Sequence, residues 1–135
     1  MEGSIGVDGR RLTYLEVGDP DGHLVLHNHG GPSSRLEAEL FDGAANACGL
    51  RVVCADRPGI GGSDGQPRRT FGAWADDLLA LADALGSERF AVTGWSEGGP
   101  WALAQKEIKK TTTSSYWVQV ILLPQPPKVL GLQEI

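Results

Sequence analysis

Ser96 lies in a run of residues whose types and spacing are suited to nucleophilic chemistry. The sequence GWSEG at residues 94–98 has glycines two positions before and two positions after the serine. This spacing lets the chain turn sharply and expose the serine hydroxyl. An apolar run at residues 89–93 predicts a buried strand before the turn, and Pro100 suits the first turn of a following helix. The N-terminus of that helix would face the negative charge that develops during acyl transfer.

Two glycine-rich loops upstream could complete such a site. The first has the sequence HGGP at residues 29–32, and the second has the sequence DRPGIGGSD at residues 56–64. Acyl transfer places negative charge on an oxygen that two backbone N–H groups must reach, and paired glycines let a loop approach that closely. The paired glycines of the first loop would permit such an approach.

These three motifs, in this order, resemble the α/β-hydrolase family, and the resemblance covers roughly residues 11–104. It implies that Ser96 is the nucleophile and that the backbone N–H groups of Gly31 and Glu97 form the oxyanion hole. It also implies that four residues support the surrounding loops, namely His29, Gly30, Gly94 and Gly98. Family members that open epoxides or displace halide use aspartate at the elbow. The serine therefore favours hydrolysis of an ester, thioester or amide through an acyl-enzyme.

The residues that would activate the serine are missing from this sequence. In the family the base is a histidine that follows the serine, and the acid that orients it also comes later. Here His23, His27 and His29 all precede Ser96, and no aspartate follows Asp83. His29 could be imagined as a base, but its usual role in the family is structural. The resemblance therefore predicts a serine hydrolase that is incomplete in this chain, and the alternative is a non-catalytic, hydrolase-derived fragment or binding protein.

Two further sites were possible from the residue types. His27 and His29 lie two positions apart, which is a metal-ligand spacing, but too few ligands follow them, so we expect no metal and no cofactor. Asp56 and Asp64 could act as acid and base, although caps of their loop, with Arg57 as a partner, are favoured. Trp95 has two open interpretations, since it could line a substrate pocket or pack against neighbours.

The elements that would position these motifs alternate between strands and helices. Strands are predicted at residues 11–17, 24–28, 50–55 and 89–93. Helices are predicted from Ser34, from Thr70 and after Ser96, and the polar residues 18–22 predict an antiparallel hairpin between the first two strands. The pattern predicts an α/β class, the N-terminal part of an α/β-hydrolase fold. Its sheet is mostly parallel, with helices on both faces and an antiparallel hairpin at one edge.

Apolar residues at helical spacing predict the buried face of each helix. Ser34 and Glu37 predict a capping box, followed by the apolar positions Leu36, Leu40, Ala44, Ala47 and Cys48. The second helix has the apolar positions Phe71, Trp74, Leu78, Leu81, Ala82 and Leu85. Its aspartates, Asp76, Asp77 and Asp83, are predicted to face water. Both cysteines, Cys48 and Cys54, are predicted to be buried free thiols.

Composition limits the partners. With 135 residues and 41% hydrophobic content, the chain has the size of one domain with a modest core. A net charge of −5 argues against nucleic acid and against an anionic membrane surface, which leaves a small-molecule substrate as the expected partner. The sequence shows no apolar stretch of membrane-spanning length and no signal-peptide pattern, so we expect a cytoplasmic location.

The chain changes character after Ala104. All four lysines follow that residue, whereas all eight arginines precede it. We predict two parts: residues 1–105 as the N-terminal half of an α/β-hydrolase domain, and residues 106–135 as an atypical tail with a strand near 118–123. The tail is either an ordinary extension or a departure of the reading frame or exon structure from the ancestral gene. An unpaired sheet edge after the elbow strand would favour self-association.

Overall fold

A computed structural model of the chain describes residues 1–106 and 117–122. Six strands form one sheet, namely β1 (Glu2–Val7), β2 (Arg10–Gly18), β3 (His23–Asn28), β4 (Leu50–Ala55), β5 (Arg89–Gly94) and β6 (Trp117–Leu122). The helical elements are a 3₁₀ helix (Arg35–Phe41), α1 (Asp42–Cys48), α2 (Phe71–Ala84) and α3 (Gly98–Lys106). Within the described ranges, no helix is both long and apolar enough to cross a membrane.

The sheet has the strand order β1-β2-β4-β3-β5-β6. Strands β4, β3, β5 and β6 run parallel, whereas β1 and β2 are antiparallel to their neighbours. The predicted mostly parallel sheet with an antiparallel hairpin at one edge is therefore confirmed. The strand predicted near residues 118–123 is present as β6, beside the elbow strand, and the other residues of the predicted tail beyond Lys106 lie outside the described part.

The members of the hairpin differ from the prediction. Strands β2 and β3 are not neighbours, because β2 pairs with β4 instead. The hairpin joins β1 to β2 through Asp8 and Gly9, whose φ angles of 48° and 74° suit a tight two-residue turn. The turn predicted at residues 18–22 carries the chain past the start of β4, where the Asp19 N–H donates to the Leu50 carbonyl. Strand β1 was not predicted, although the Asp8-Gly9 pair is a typical signal of a hairpin turn.

Helices lie on both faces of the sheet. On one face, α2 and α3 bury the main core, which includes Leu12, Leu26, Val53, Trp74, Leu78, Leu81 and Val92. On the other face, the 3₁₀ helix and α1 cover β2 and β4 with only two small buried residues, Ala38 and Ala45. For the helix that starts after Ser34, the predicted buried face was wrong. All five of its apolar positions are exposed, namely Leu36, Leu40, Ala44, Ala47 and Cys48. The 3₁₀ start has three residues per turn, which breaks the 3.6-residue spacing that the prediction assumed.

Among the described residues, the 3₁₀ helix and α1 leave part of the second face uncovered over β3 and β5. An apolar cleft of about 170 Å³ lies there between α1 and the sheet, and its walls include Val25, Phe41, Ala45 and Val52. Cys48 also lines this cleft and is an exposed free thiol, so the prediction that it is buried was wrong.

The other cysteine agrees with its prediction. Cys54 is a buried free thiol under the 3₁₀ helix, and burial raises its pKa well above the ordinary range. Such a thiol stays protonated and unreactive, because the thiolate is the reactive form of cysteine.

Helix α2 begins and packs largely as predicted. The Thr70 hydroxyl caps it by accepting a hydrogen bond from the Ala73 N–H at 3.0 Å. Two residues differ from the prediction: Phe71 is exposed, and Asp77 is buried rather than facing water. Its carboxylate accepts two hydrogen bonds from Arg10, at 2.7 and 3.2 Å, and the pair joins α2 to the start of β2.

We predict that Asp77→Ala lowers the free energy of unfolding by about 1.5–3 kcal/mol, because it leaves the Arg10 guanidinium without its charged acceptor. Urea unfolding followed by circular dichroism measures the change. The exposed neighbour Asp76 is the matched control, and Asp76→Ala should change stability by less than about 0.5 kcal/mol. Equal losses in the two variants would contradict a stabilising role for the pair.

Candidate active site

Ser96 lies on the tight turn between β5 and α3, and it is exposed. Its φ angle is 51°, in the left-handed region that a residue with a side chain rarely adopts. Two backbone hydrogen bonds hold the turn: the Gly98 N–H donates to the Trp95 carbonyl at 2.7 Å, and the Gly99 N–H donates to the Ser96 carbonyl at 3.0 Å. The conformation therefore depends on residues of the elbow itself.

Two glycines of the elbow have no room for a side chain. A Cβ added to Gly98 would lie 2.0 Å from the Asn28 carbonyl oxygen and 2.8 Å from the His29 carbonyl oxygen. A Cβ added to Gly94 would lie 2.4 Å from the Gly98 carbonyl oxygen. The start of α3 is thus packed directly against the backbone where β3 ends.

The loop at residues 29–32 lies beside the elbow. The Gly30 N–H donates to both carboxylate oxygens of Glu37, at 3.1 and 3.3 Å. On the other side, Arg57 donates through Nη1 to the His29 carbonyl at 2.5 Å and through Nη2 to the Gly30 carbonyl at 3.0 Å. A Cβ added to Gly31 would lie 2.2 Å from Glu97 Oε2. The structure thus brings Gly31 and Glu97, the two sequence-predicted oxyanion donors, next to each other.

Asn28 connects the site to the main core, a role that was not predicted. Its side-chain oxygen accepts hydrogen bonds from Trp74 Nε1 at 2.8 Å and from Gln105 Nε2 at 3.0 Å. Its side-chain nitrogen donates to the Thr93 carbonyl at 3.1 Å, and its own carbonyl accepts from the Trp95 N–H. The available signal was a polar residue two positions after the apolar run LVL, at the end of the predicted strand.

His27 and Glu37 form a second buried pair beneath the loop. His27 Nε2 is 2.7 Å from Glu37 Oε1, and His27 Nδ1 is 2.8 Å from the Thr93 hydroxyl. Burial lowers the pKa of His27 despite the carboxylate. Burial alone would raise the pKa of Glu37, but hydrogen bonds from His27, Ser33 and the Gly30 N–H outweigh it and hold the pKa below its ordinary value. A neutral His27 therefore donates from Nε2 to an ionised Glu37.

The predicted capping box is only half present. The Ser34 side chain accepts a hydrogen bond from the Leu36 N–H at 3.3 Å, as an N-cap residue does. The Glu37 carboxylate does not return to the Ser34 backbone, because it is bonded to His27 and Gly30. The spacing of Ser34 and Glu37 therefore predicted a cap, whereas Glu37 in fact binds the loop through the Gly30 N–H.

None of the three histidines is placed to serve Ser96 as a base. His29 is buried, with Nδ1 donating to the Gly30 carbonyl at 2.9 Å and Nε2 accepting from the Arg57 N–H at 3.4 Å. Its pKa is lowered, first by burial. His23 is exposed at the start of β3, whereas Ser96 follows the opposite end of the sheet. In residues 1–106 and 117–122 there is also no cluster of three groups that could hold a metal.

The aspartates of the loop at 56–64 bind backbone and arginine groups. Asp56 is fully buried and accepts from the Arg35 N–H, from Arg35 Nη1 and from the Gly62 N–H, all within 2.9 Å. Its ionic partner is therefore Arg35, and the predicted pairing with Arg57 was wrong. The Asp64 carboxylate accepts from the Arg11 N–H at 2.8 Å. Both aspartates accept hydrogen bonds from backbone N–H groups, in agreement with the capping role that the sequence analysis favoured over an acid-base role.

Aromatic side chains flank the elbow. Trp95 is 48% exposed, and its ring edge lies 3.3 Å from where a Gly30 Cβ would be, so the ring both packs on the loop and faces solvent. Trp101, one turn into α3, contacts the exposed Phe71 ring with centroids 4.3 Å apart. The guanidinium groups of Arg57 and Arg69 lie 5.6 and 5.5 Å from the Trp101 ring centroid. Aromatic rings therefore lie on both sides of Ser96 in sequence, with Trp95 against the loop and Trp101 in α3.

Comparisons with known proteins agree with this architecture. A family model described as alpha/beta hydrolase fold matches residues 23–107. The proline iminopeptidase of Xylella fastidiosa is 31% identical over 121 residues, which cover 86% of this chain and 38% of that protein. The non-heme chloroperoxidase of Streptomyces lividans is 35% identical over 97 residues, which cover 68% of this chain and 34% of that protein.

Solved structures give the same result for the fold. An epoxide hydrolase from Vigna radiata has a TM-score of 0.75 at 21% identity, and the match covers 96% of this chain and 41% of that structure. The chain therefore spans well under half the length of these relatives.

We predict that Gly98→Ala is much more disruptive than Gly31→Ala. The Gly98 Cβ would strike backbone oxygens, which cannot move away, whereas the Gly31 Cβ meets the mobile end of the exposed Glu97 side chain. Thermal melts should show that Gly98→Ala lowers the free energy of unfolding by at least about 3 kcal/mol. Gly31→Ala should lower it by less than about 1 kcal/mol. Similar losses would show that the elbow is not tightly packed on β3.

We predict that the free energy of unfolding decreases as the pH falls from about 7 to 5. The pKa values of His27 and His29 are lowered in the folded state, so below about 6.5 the unfolded chain binds more protons. Urea unfolding at several pH values measures this decrease. His27→Gln, which keeps a donor and an acceptor but does not titrate, should flatten the pH dependence. The exposed His23→Gln should leave it unchanged, and an equal effect of both variants would contradict the assignment.

Proposed function

Because the chain belongs to the α/β-hydrolase fold family, we propose that it carries the nucleophile and the oxyanion hole of a serine hydrolase. The observation that supports this proposal is the geometry of Ser96, which is exposed with a φ of 51° on the turn between β5 and α3. A serine held in this way is typical of a nucleophile elbow. The expected substrate is a small ester, thioester or amide, and the relative named proline iminopeptidase favours the amide class.

The proposed reaction is acyl transfer in two steps. Ser96 Oγ attacks the carbonyl carbon, and its proton passes to a base as the new C–O bond forms. The carbonyl oxygen becomes an oxyanion, which the N–H groups of Gly31 and Glu97 stabilise. The bond to the leaving group then breaks, the leaving group takes the proton, and water later releases the acid from Ser96. The sequence has no histidine after Ser96, so the base has to come from a group outside the described site.

The alternative is a non-catalytic, hydrolase-derived chain that acts by binding. The observation that favours it is the state of His27 and His29, because the ring nitrogens of both are already bonded to protein groups. Self-association belongs with this alternative and remains a prediction. The expected unpaired edge of the elbow strand was wrong, because β5 is paired with β6. Self-association would instead use β6, which is the last strand of the sheet in the described part of the chain. Sedimentation velocity at several concentrations would test it.

We predict that an activated fluorophosphonate forms one adduct per chain, located on Ser96 by peptide mass spectrometry. Ser96→Ala should abolish it, and the urea-unfolded chain should give none, because the unfolded serine has no oxyanion hole. Sites without a working triad keep only about 10³-fold catalysis over water, so labelling should be far slower than for a complete hydrolase. A folded sample that gives no adduct would contradict the hydrolase proposal and support the alternative.

A further inference from the structure

Arg57 is a buried cation whose hydrogen bonds go to the loop beside Ser96. Its side chain is 2% exposed, and no carboxylate among the described residues forms an ion pair with it. Its two Nη groups donate instead to the carbonyls of His29 and Gly30. Burying a guanidinium without a paired carboxylate is costly. Such a buried guanidinium is explained if Arg57 holds the loop in a particular geometry.

These two hydrogen bonds fix the direction of two peptide units. In a planar trans peptide, the carbonyl and the N–H of the next residue point in opposite directions. With the His29 carbonyl held on Arg57, the Gly30 N–H must point away from the guanidinium, and it does so by donating to Glu37. With the Gly30 carbonyl held by Arg57 and by His29 Nδ1, the Gly31 N–H must likewise point away from Arg57.

Arginine suits this task better than lysine. Its planar fork presents two nitrogens at a fixed separation, so one side chain can bind two successive carbonyls at once, whereas a lysine ammonium is a point donor on a flexible stem. The backbone of Arg57 is held as well, because its N–H donates to His29 Nε2. On its other side the guanidinium lies over the Trp101 ring.

We propose that Arg57 is a positioning residue for the oxyanion hole: by holding the His29 and Gly30 carbonyls, it orients the Gly31 N–H toward the developing oxyanion. The inference rests on the proposed function, because the orientation of Gly31 affects chemistry only if Ser96 attacks a carbonyl or phosphonyl centre. Arg57 contacts no reacting atom and acts through the loop backbone.

Amide hydrogen exchange tests the orientation without any activity. In Arg57→Lys the Gly30 N–H should exchange at least about tenfold faster than in the wild-type chain, because the loop peptides can rotate away from Glu37. Arg69→Lys is the matched control, since Arg69 also lies over Trp101 but donates to the Pro58 carbonyl and not to the loop. Its Gly30 exchange should stay within about twofold of wild type. Unchanged exchange in Arg57→Lys would overturn the proposal.

The rate of fluorophosphonate labelling separates positioning from mere stabilisation. At equal folded fraction, Arg57→Lys should label Ser96 about 10–100-fold more slowly, and Arg69→Lys should match wild type. Faster Gly30 exchange with unchanged labelling would overturn the positioning role. If wild type is not labelled, the proposed function fails, and the exchange result still decides whether Arg57 orients the loop.

If Arg57→Lys does not fold, the wild-type chain provides the test. A clamped Gly30 N–H should be protected to within about tenfold of the Leu26 N–H in the centre of β3, because only large-scale opening would release it. Exchange that is faster than this limit would overturn the proposal.

Discussion

The contact between Gly98 and the carbonyl oxygens of Asn28 and His29 is the constraint on which the rest of the site depends. It brings the first turn of α3 against the end of β3 with no side chain between them. Since the same carbonyls belong to the residues that lead into the 29–32 loop, the elbow and the loop cannot move independently. The spacing between Ser96 and the proposed oxyanion donors, Gly31 and Glu97, is thereby set by backbone packing and not by side-chain conformation.

Electrostatics adds direction to this packing. The loop passes between a carboxylate, Glu37, and a guanidinium, Arg57, which lie on opposite sides of its peptide planes. The Gly30 N–H faces the negative charge, and the His29 and Gly30 carbonyls face the positive charge. A flipped peptide between His29 and Gly30 would therefore meet repulsion on both sides. Glu37 keeps its charge because His27, Ser33 and Gly30 donate to it. The loop conformation thus depends on a buried charge, Arg57, and a largely buried one, Glu37, whose roles in the loop were not recognised from the sequence.

Features that depend on neighbouring residues could be predicted from the sequence, whereas features that depend on contacts between distant residues could not. Five of the six described strands, the Thr70 cap and the sharp turn at Ser96 depend on local periodicity and glycine spacing, and these were predicted, whereas β1 was missed. The partner of β2 was not, because strand order is decided by contacts between residues far apart in the chain. Asp77 and Glu37 were interpreted as an exposed residue and a cap, since their partners, Arg10 and His27, are adjacent only in the fold. The oxyanion roles of Gly31 and Glu97 remain predictions.

The turn at Ser96 has a consequence for how such proteins lose activity. Its conformation depends on its own glycines and on the end of β3, and none of these contacts involves a general base or an orienting acid. Selection can therefore remove the proton-transfer residues while leaving the nucleophile displayed, which is a route to a pseudoenzyme. In this fold, exposure of a serine on the elbow and activation of that serine therefore depend on different residues.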